Sequence, residues 1–330
     1  ISDDGKTLKQ YIIEQTESQY IDYIIIEQKF KELGLSFTDE IKKQTDYEFQ
    51  HNFIESYTED KLNNIYKTLG LTADEIKDIL EINYKRQMII DHYFGEGGEK
   101  EISEETIKNS FTNDYARFKY IAFAKTDDSG NNLSTDKTLE KYNTVKDIIN
   151  QLNSGANFEE LIKKYSEAYV SNTDGYSDDK KKAAEDLNEV LTIDGLIIGK
   201  DGTILQDYTY GSASSVLDSS LVNKIFALNN NEYSYVETDT GYWILKRCDI
   251  NEEERFYDNC RDAVYNNLLS EPYTELFESW KKEFTYTMNE KVVEKYSPDK
   301  ISALFFDKDS FKTSTDGSTD TNNDSTTSKK

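Results

Sequence analysis

Gly155-Ala-Asn-Phe158-Glu-Glu-Leu161-Ile-Lys-Lys-Tyr165-Ser166 opens on a helix-stopping glycine and continues as a helix, from Phe158 to about Ala168. Just upstream, the spacing predicts another helix from about Lys137 to Leu152. Before that, Arg117-Phe-Lys-Tyr-Ile-Ala-Phe-Ala124 reads as a strand. Downstream lies a long polar stretch, Ser171 to Gly211, with a helix expected near Lys181 to Val190. A short helix follows at Ser219 to Leu228. Two strands, Tyr233–Thr238 and Tyr242–Ile250, flank the turn Asp239-Thr-Gly241. Strand, helices, then strands is the order of an α+β domain.

The flanks read differently. Apolar residues from Leu8 to Leu33 follow helical spacing and stop at Gly34. Thr38 caps a second helix, from Asp39 towards Leu69. Thr72-Ala-Asp-Glu75 is a capping box before a third, which ends near Phe94 ahead of Gly95, Gly97 and Gly98. Ser103 opens a short helix to about Phe111. After Glu252 an apolar helical stripe runs to Trp280, with Pro272 expected to interrupt it. Phe284-Thr-Tyr-Thr-Met288 alternates like a strand. From Asp307 the chain is Ser, Thr, Asp, Asn and Lys, a composition too polar to order itself. The expected boundaries are therefore 1–112 helical, 113–251 α+β with a long insertion at 171–211, 252–306 helix and strand, and 307–330 a disordered tail.

Composition narrows the function. The chain has 330 residues, 39 basic and 64 acidic, and a net charge of −25. Such a surface repels phosphate backbones, so nucleic acid is not an expected partner. The mean hydropathy of −0.78 suits a surface-rich molecule. Twenty-four Tyr and 16 Phe supply apolar area, either as core filling or as adaptable contact surface. Cys248 and Cys260 lie outside any CxxC and have no nearby histidine, so no metal site is expected; one disulfide and two free thiols both remain open. His51 and His92 read as ordinary helix residues. Phosphate-loop, dinucleotide and nucleophile-elbow motifs are missing from the sequence. The start at Ile1 reads as a processed or trimmed form, so a missing leader does not place the chain in the cytoplasm.

Four segments together resemble a parvulin domain, the rotamase family of peptidyl-prolyl isomerases. Arg117 to Phe123 is similar to the family's first strand. Gly155 to Ser166 resembles its G-x-x-F-x-x-L-A-x-x-Y-S run. Leu217 to Leu228 resembles its pocket helix. Glu232 to Lys246 resembles G-E-x-S-x-P-V-x-T-x-x-G-x-H-I-I-K. With its helical flanks, the layout is similar to SurA- and PrsA-like foldases, in which a C-terminal helix returns to the N-terminal helices. The resemblance implies a bacterial, extracytoplasmic folding factor of the cell envelope. Its partners would be unfolded or exported polypeptide clients, it would need no cofactor, and it would be anchored by a lipid on a preceding N-terminal stretch or self-associate as a dimer.

Prolyl isomerisation breaks no covalent bond. A site need only bind the twisted amide better than the planar one and shield the proline ring from water. The resemblance places the ring-binding residues at Leu217, Leu221 and Phe226, and the strand threonine at Thr238. The family's two histidines fall at Tyr120 and Trp243, and the cysteine or aspartate after the Tyr-Ser pair falls at Ala168. The Gly-Asp-Leu-Gly motif is not recognisable between Ser171 and Gly211. Leu217, Leu221 and Phe226 also read as plain core packing, and Tyr120 and Trp243 as core filling or as an aromatic floor for clients. Three functions follow: a chaperone with a degenerate parvulin module, an isomerase working without histidines, or a noncatalytic surface scaffold or adhesion protein.

Overall fold

The computed structural model describes residues 5–51, 72–127, 129–205, 217–295 and Ser297. The expected run of the second helix towards Leu69 and the polar tail from Asp307 lie outside them. The chain divides into two compact units: Ile1–Tyr93 with Thr274–Lys330, and Phe94–Tyr273.

The first unit is helical. α1 spans Leu8–Glu32, α2 Asp39–Phe49 and α3 Ala73–Phe94. Thr7 and Gln10 form a capping box at α1, and Thr38 caps α2. The box expected at Thr72 forms: Glu75 accepts from the Thr72 backbone N–H at 2.7 Å, and its own N–H donates to the Thr72 hydroxyl at 3.2 Å. Ile25, Ile26, Phe30, Ile82, Ile89 and Ile90 are buried. The C-terminal segment returns to these helices, as the resemblance implied. Trp280 packs on Tyr93 at 5.8 Å, Lys281 pairs with Asp22 at 2.8 Å, and Tyr286 donates to Glu17 at 2.8 Å.

The second unit is α+β. α4 (Glu104–Asp114) leads into β1 (Tyr115–Ala124). Then come α5 (Thr135–Asn153), α6 (Phe158–Tyr165), α7 (Asp178–Glu189), a π-helical turn (Val190–Asp194) and β2 (Leu196–Gly199). α8 (Ser219–Ala227), β3 (Tyr233–Glu237), β4 (Gly241–Cys248) and α9 (Glu254–Glu283) as far as Tyr273 complete it; the rest of α9, from Thr274, and α10 (Glu290–Lys295) belong to the first unit. The sheet is antiparallel, in order β2-β1-β4-β3. Its two faces bury different cores. Ile121, Phe123, Tyr242 and Ile244 meet α5, α6 and α7 on one side. Ala116, Phe118 and Leu245 meet α8 on the other.

Three expectations are corrected. β2 was not foreseen: Leu196-Ile-Ile sits inside a stretch read as polar, yet all three residues are buried. Gly195 lets the chain turn into it, with φ +77° and with a would-be Cβ 2.9 Å from the Phe118 carbonyl oxygen. Pro272 does not interrupt α9, which runs on because buried Val264, Leu269, Phe277 and Trp280 hold it on both sides. Phe284–Met288 is not a strand. Its alternation instead brings the Phe284 and Tyr286 rings together at 6.0 Å. Cys248 and Cys260 are buried and free. No helix among the described residues is long and apolar enough to cross a membrane.

One ion cluster ties α6 to the sheet. Glu159 accepts from Lys119 at 3.0 Å and Lys246 at 3.1 Å, and Lys119 also donates to the Thr192 carbonyl at 2.9 Å. Burial pushes the Glu159 carboxyl up, but the Lys119 hydrogen bond, its own backbone N–H, the Lys119 charge and the Lys246 hydrogen bond together outweigh it and hold it below its ordinary value. Its stabilising contribution is therefore complete above the unfolded pKa, about 4.3, and is lost as pH falls through the lower folded value. Urea midpoints of the native chain should fall on acidification below about pH 4. In Glu159→Gln that fall should be shallower, and an unchanged profile would refute the coupling.

Candidate functional site

α8 starts at Asp218, whose carboxylate accepts from the Ser220 N–H at 2.8 Å. Its inner side chains, Leu221, Val222 and Ile225, are buried on the sheet beside Phe118, Leu196, Ile198 and Leu245. Leu217 and Phe226 pack against the same cluster and stay partly exposed. Tyr120 stands opposite Leu245, and Trp243 stands between Ala122 and Val236. The pleat puts both on the α8 face, with ring centroids 5.2 Å apart and planes at 51°. Five of the six expected site residues, Leu217, Leu221, Phe226, Tyr120 and Trp243, therefore meet in one cluster.

Thr238 does not join them. It sits in the β3–β4 turn, where its hydroxyl accepts from the Gly241 N–H at 3.1 Å and its own N–H donates to the Gly241 carbonyl at 2.9 Å. It closes the hairpin. Ala168 packs with the core on the opposite face of the sheet. The Trp243 indole nitrogen is buried with no hydrogen-bond partner among the described residues, and it lies 3.5 Å from where a Cβ on Gly241 would stand.

The sequence reading passed over Arg247. It lies two residues beyond Leu245, on the same strand face. Its guanidinium sits 5.4 Å from the centre of the Phe226 ring and reaches the Ile225 carbonyl at 3.5 Å. Period-two counting along β4 from Trp243 would have found it.

The cluster contains nothing that titrates near neutrality. Burial pushes the Tyr120 hydroxyl up to about 12, so it stays protonated. Burial lowers the Arg247 pKa from a starting point far above neutral. The chemistry on offer is apolar enclosure, two ring faces and one half-buried cation, not proton transfer. Among the described residues, no group of three or more His, Cys, Asp or Glu could hold a metal ion.

Comparison with known families places this arrangement. Residues 104–250 carry a match to the PPIC-type PPIASE domain. The PPIase domain so matched contains the whole sheet, α8 and every expected site residue. Among solved structures, PrsA from Bacillus subtilis aligns at 16% identity, covering 85% of this chain and 87% of that one, with a TM-score of 0.26. The foldase protein PrsA from Streptococcus pneumoniae aligns at 16% identity, covering 90% and 98%, with a TM-score of 0.36. No curated protein matches the chain.

Proposed function

We propose that this chain is a protein-folding factor that holds unfolded or exported polypeptide clients on an apolar, aromatic site of its PPIase domain. One observation carries the proposal: Tyr120 and Trp243, at the positions of the family's histidines, pack into the same cluster as the ring-binding residues Leu217, Leu221 and Phe226. The site keeps a surface for an apolar ring and has no histidine pair. In this reading 1–112 is the chaperone region, 113–251 the PPIase domain and 252–306 its return to the helices. The family resemblance supports work outside the cytoplasm, in a bacterial cell envelope, with lipid anchoring and dimerisation as further parts of the proposal.

The partial exposure of Leu217 and Phe226 favours a second reading, isomerisation without histidines. An uncatalysed X-Pro bond faces a barrier of about 18–20 kcal/mol. Enclosing the proline side lowers it by removing water from the polar planar amide. The test is X-Pro exchange in a short Ala-Pro peptide by NMR, with and without the protein, alongside suppression of aggregation of an unfolded client. The holding role predicts aggregation suppression that Phe226→Ala loses, with exchange unaccelerated. Acceleration that Phe226→Ala abolishes establishes an enzyme. Neither effect, even at high protein concentration, sinks both readings and leaves a noncatalytic scaffold.

A further inference from the structure

A second surface lies across the sheet from α8. β3 is an edge strand, with β4 on one side and no described strand on the other. In an antiparallel ladder, alternate residues direct both N–H and C=O towards the partner. Arg247 N–H donates to the Glu232 carbonyl, and Thr238 N–H donates to the Gly241 carbonyl. Counting by two from these, Ser234 and Val236 face β4. Tyr233, Tyr235 and Glu237 turn their backbone groups to the open edge.

Alongside that edge runs a groove of about 490 Å³ between β3 and α5. Tyr142, Val145, Lys146 and Ile149 line it from the helix, at the spacing of a single helical face, and Tyr233 and Tyr235 line it from the strand. Tyr235 packs 6.2 Å from Tyr142 and 6.3 Å from Tyr242, which makes a tyrosine floor. Tyr233 donates to the Asn153 side chain at 2.7 Å, tying the strand to the end of the helix. Lys146 is the one charged side chain in the lining, with its ammonium 4.2 Å from the Tyr142 ring centre. At the far end of β3, Glu237 is matched by Lys125 at 2.7 Å. The groove therefore offers a cation to whatever enters.

We propose that this edge and groove bind an extended, proline-free polypeptide segment as an added strand. Alternate side chains of the segment enter the groove, apolar ones on the tyrosines and an acidic one at Lys146. An open edge supplies affinity through backbone pairing, and the adjoining groove reads every second side chain. Pairing needs free N–H groups on the incoming segment, so this surface takes what a proline pocket does not. It adds a second surface to the client-binding reading. The probe below contains no proline, so its failure leaves the α8 site untouched.

The test uses the full chain and a fluorescein-labelled peptide, Ser-Phe-Ser-Asp-Ser-Phe-Ser, with anisotropy as the readout. The native chain should prefer it to the version with Lys in place of Asp by roughly fivefold, the upper end for an exposed ion pair. Lys146 is exposed, so Lys146→Glu leaves the core intact and should reverse that preference. N-methylating the peptide amides that face β3 should abolish binding. Bound peptide should slow hydrogen exchange at the Tyr235 and Glu237 amides. Equal binding of both peptides by both proteins, full binding of the N-methylated peptide, or a dimer of this chain that occupies the edge and excludes the peptide would each overturn the proposal.

Discussion

Arg117→Ala should lower the unfolding free energy by about 3–5 kcal/mol, the range for removing one partner of a buried charged network. Arg117 is only 2% exposed, on β1. Its guanidinium donates to the Asp249 carbonyl at 2.9 Å and the Asp194 carbonyl at 2.8 Å, pairs with Glu252, and stacks 4.1 Å from the Phe256 ring centre. It pins the π-helical turn before β2 and the start of α9 to the centre of the sheet. The ion pair is the minor part, because the Glu252 side chain is 60% exposed and such pairs contribute at most about 1 kcal/mol. The larger loss is the guanidinium's two hydrogen bonds to part-buried carbonyls, at roughly 1–3 kcal/mol each: the Asp194 carbonyl gives up its Arg117 donor, and the Asp249 carbonyl keeps only a long bond from the Glu252 N–H at 3.4 Å. Glu252→Gln should therefore cost little, and Arg117→Lys should restore only part, because an ammonium cannot span the fork. Urea midpoints of the three variants decide this. A Glu252→Gln loss as large as that of Arg117→Ala would show that the ion pair dominates.

Much of this architecture was legible in the sequence because the signals were local. The helix Phe158–Tyr165 follows its glycine, the hairpin follows Asp239-Thr-Gly241, and the Thr72–Glu75 box closes on itself. What escaped was decided by tertiary contact. Leu196-Ile-Ile is too short to stand out from its polar surroundings, and it becomes a strand because β1 offers an edge to it. Pro272 loses one helical amide, but the packing of α9 decides the matter. Sequence matching named Leu217, Leu221, Phe226, Tyr120 and Trp243, and the fold brings these five into one cluster. Thr238 stands apart from them, because a strand position in the motif falls one residue beyond the end of β3, where the hydroxyl is used by the turn. Arg247 has no motif of its own and is found only by following the face of β4.

The two aromatic and aliphatic partners on α8 should separate packing from binding. Leu221 is 2% exposed, enclosed by Phe118, Ile198 and Leu245. Leu221→Ala should cost about 2–5 kcal/mol, as deletions in well-enclosed cores do. Phe226 is partly exposed, with Arg247 over its ring. Its removal gives up only part of the roughly 1.5–3 kcal/mol of a fully buried ring, together with a cation–π contact of about 0.5–1 kcal/mol. Stability should therefore rank Leu221→Ala as the more damaged protein. Client holding should rank them the other way, because a client can touch Phe226 and cannot reach Leu221 through the core. Denaturant midpoints and aggregation suppression, measured on the same two preparations while both are folded, give the two rankings. If holding tracks stability, with Leu221→Ala the weaker in both, the α8 cluster is core and the clients are held elsewhere. If the rankings cross, the exposed ring of Phe226 is where the client sits, and Tyr120 and Trp243 are the floor beside it.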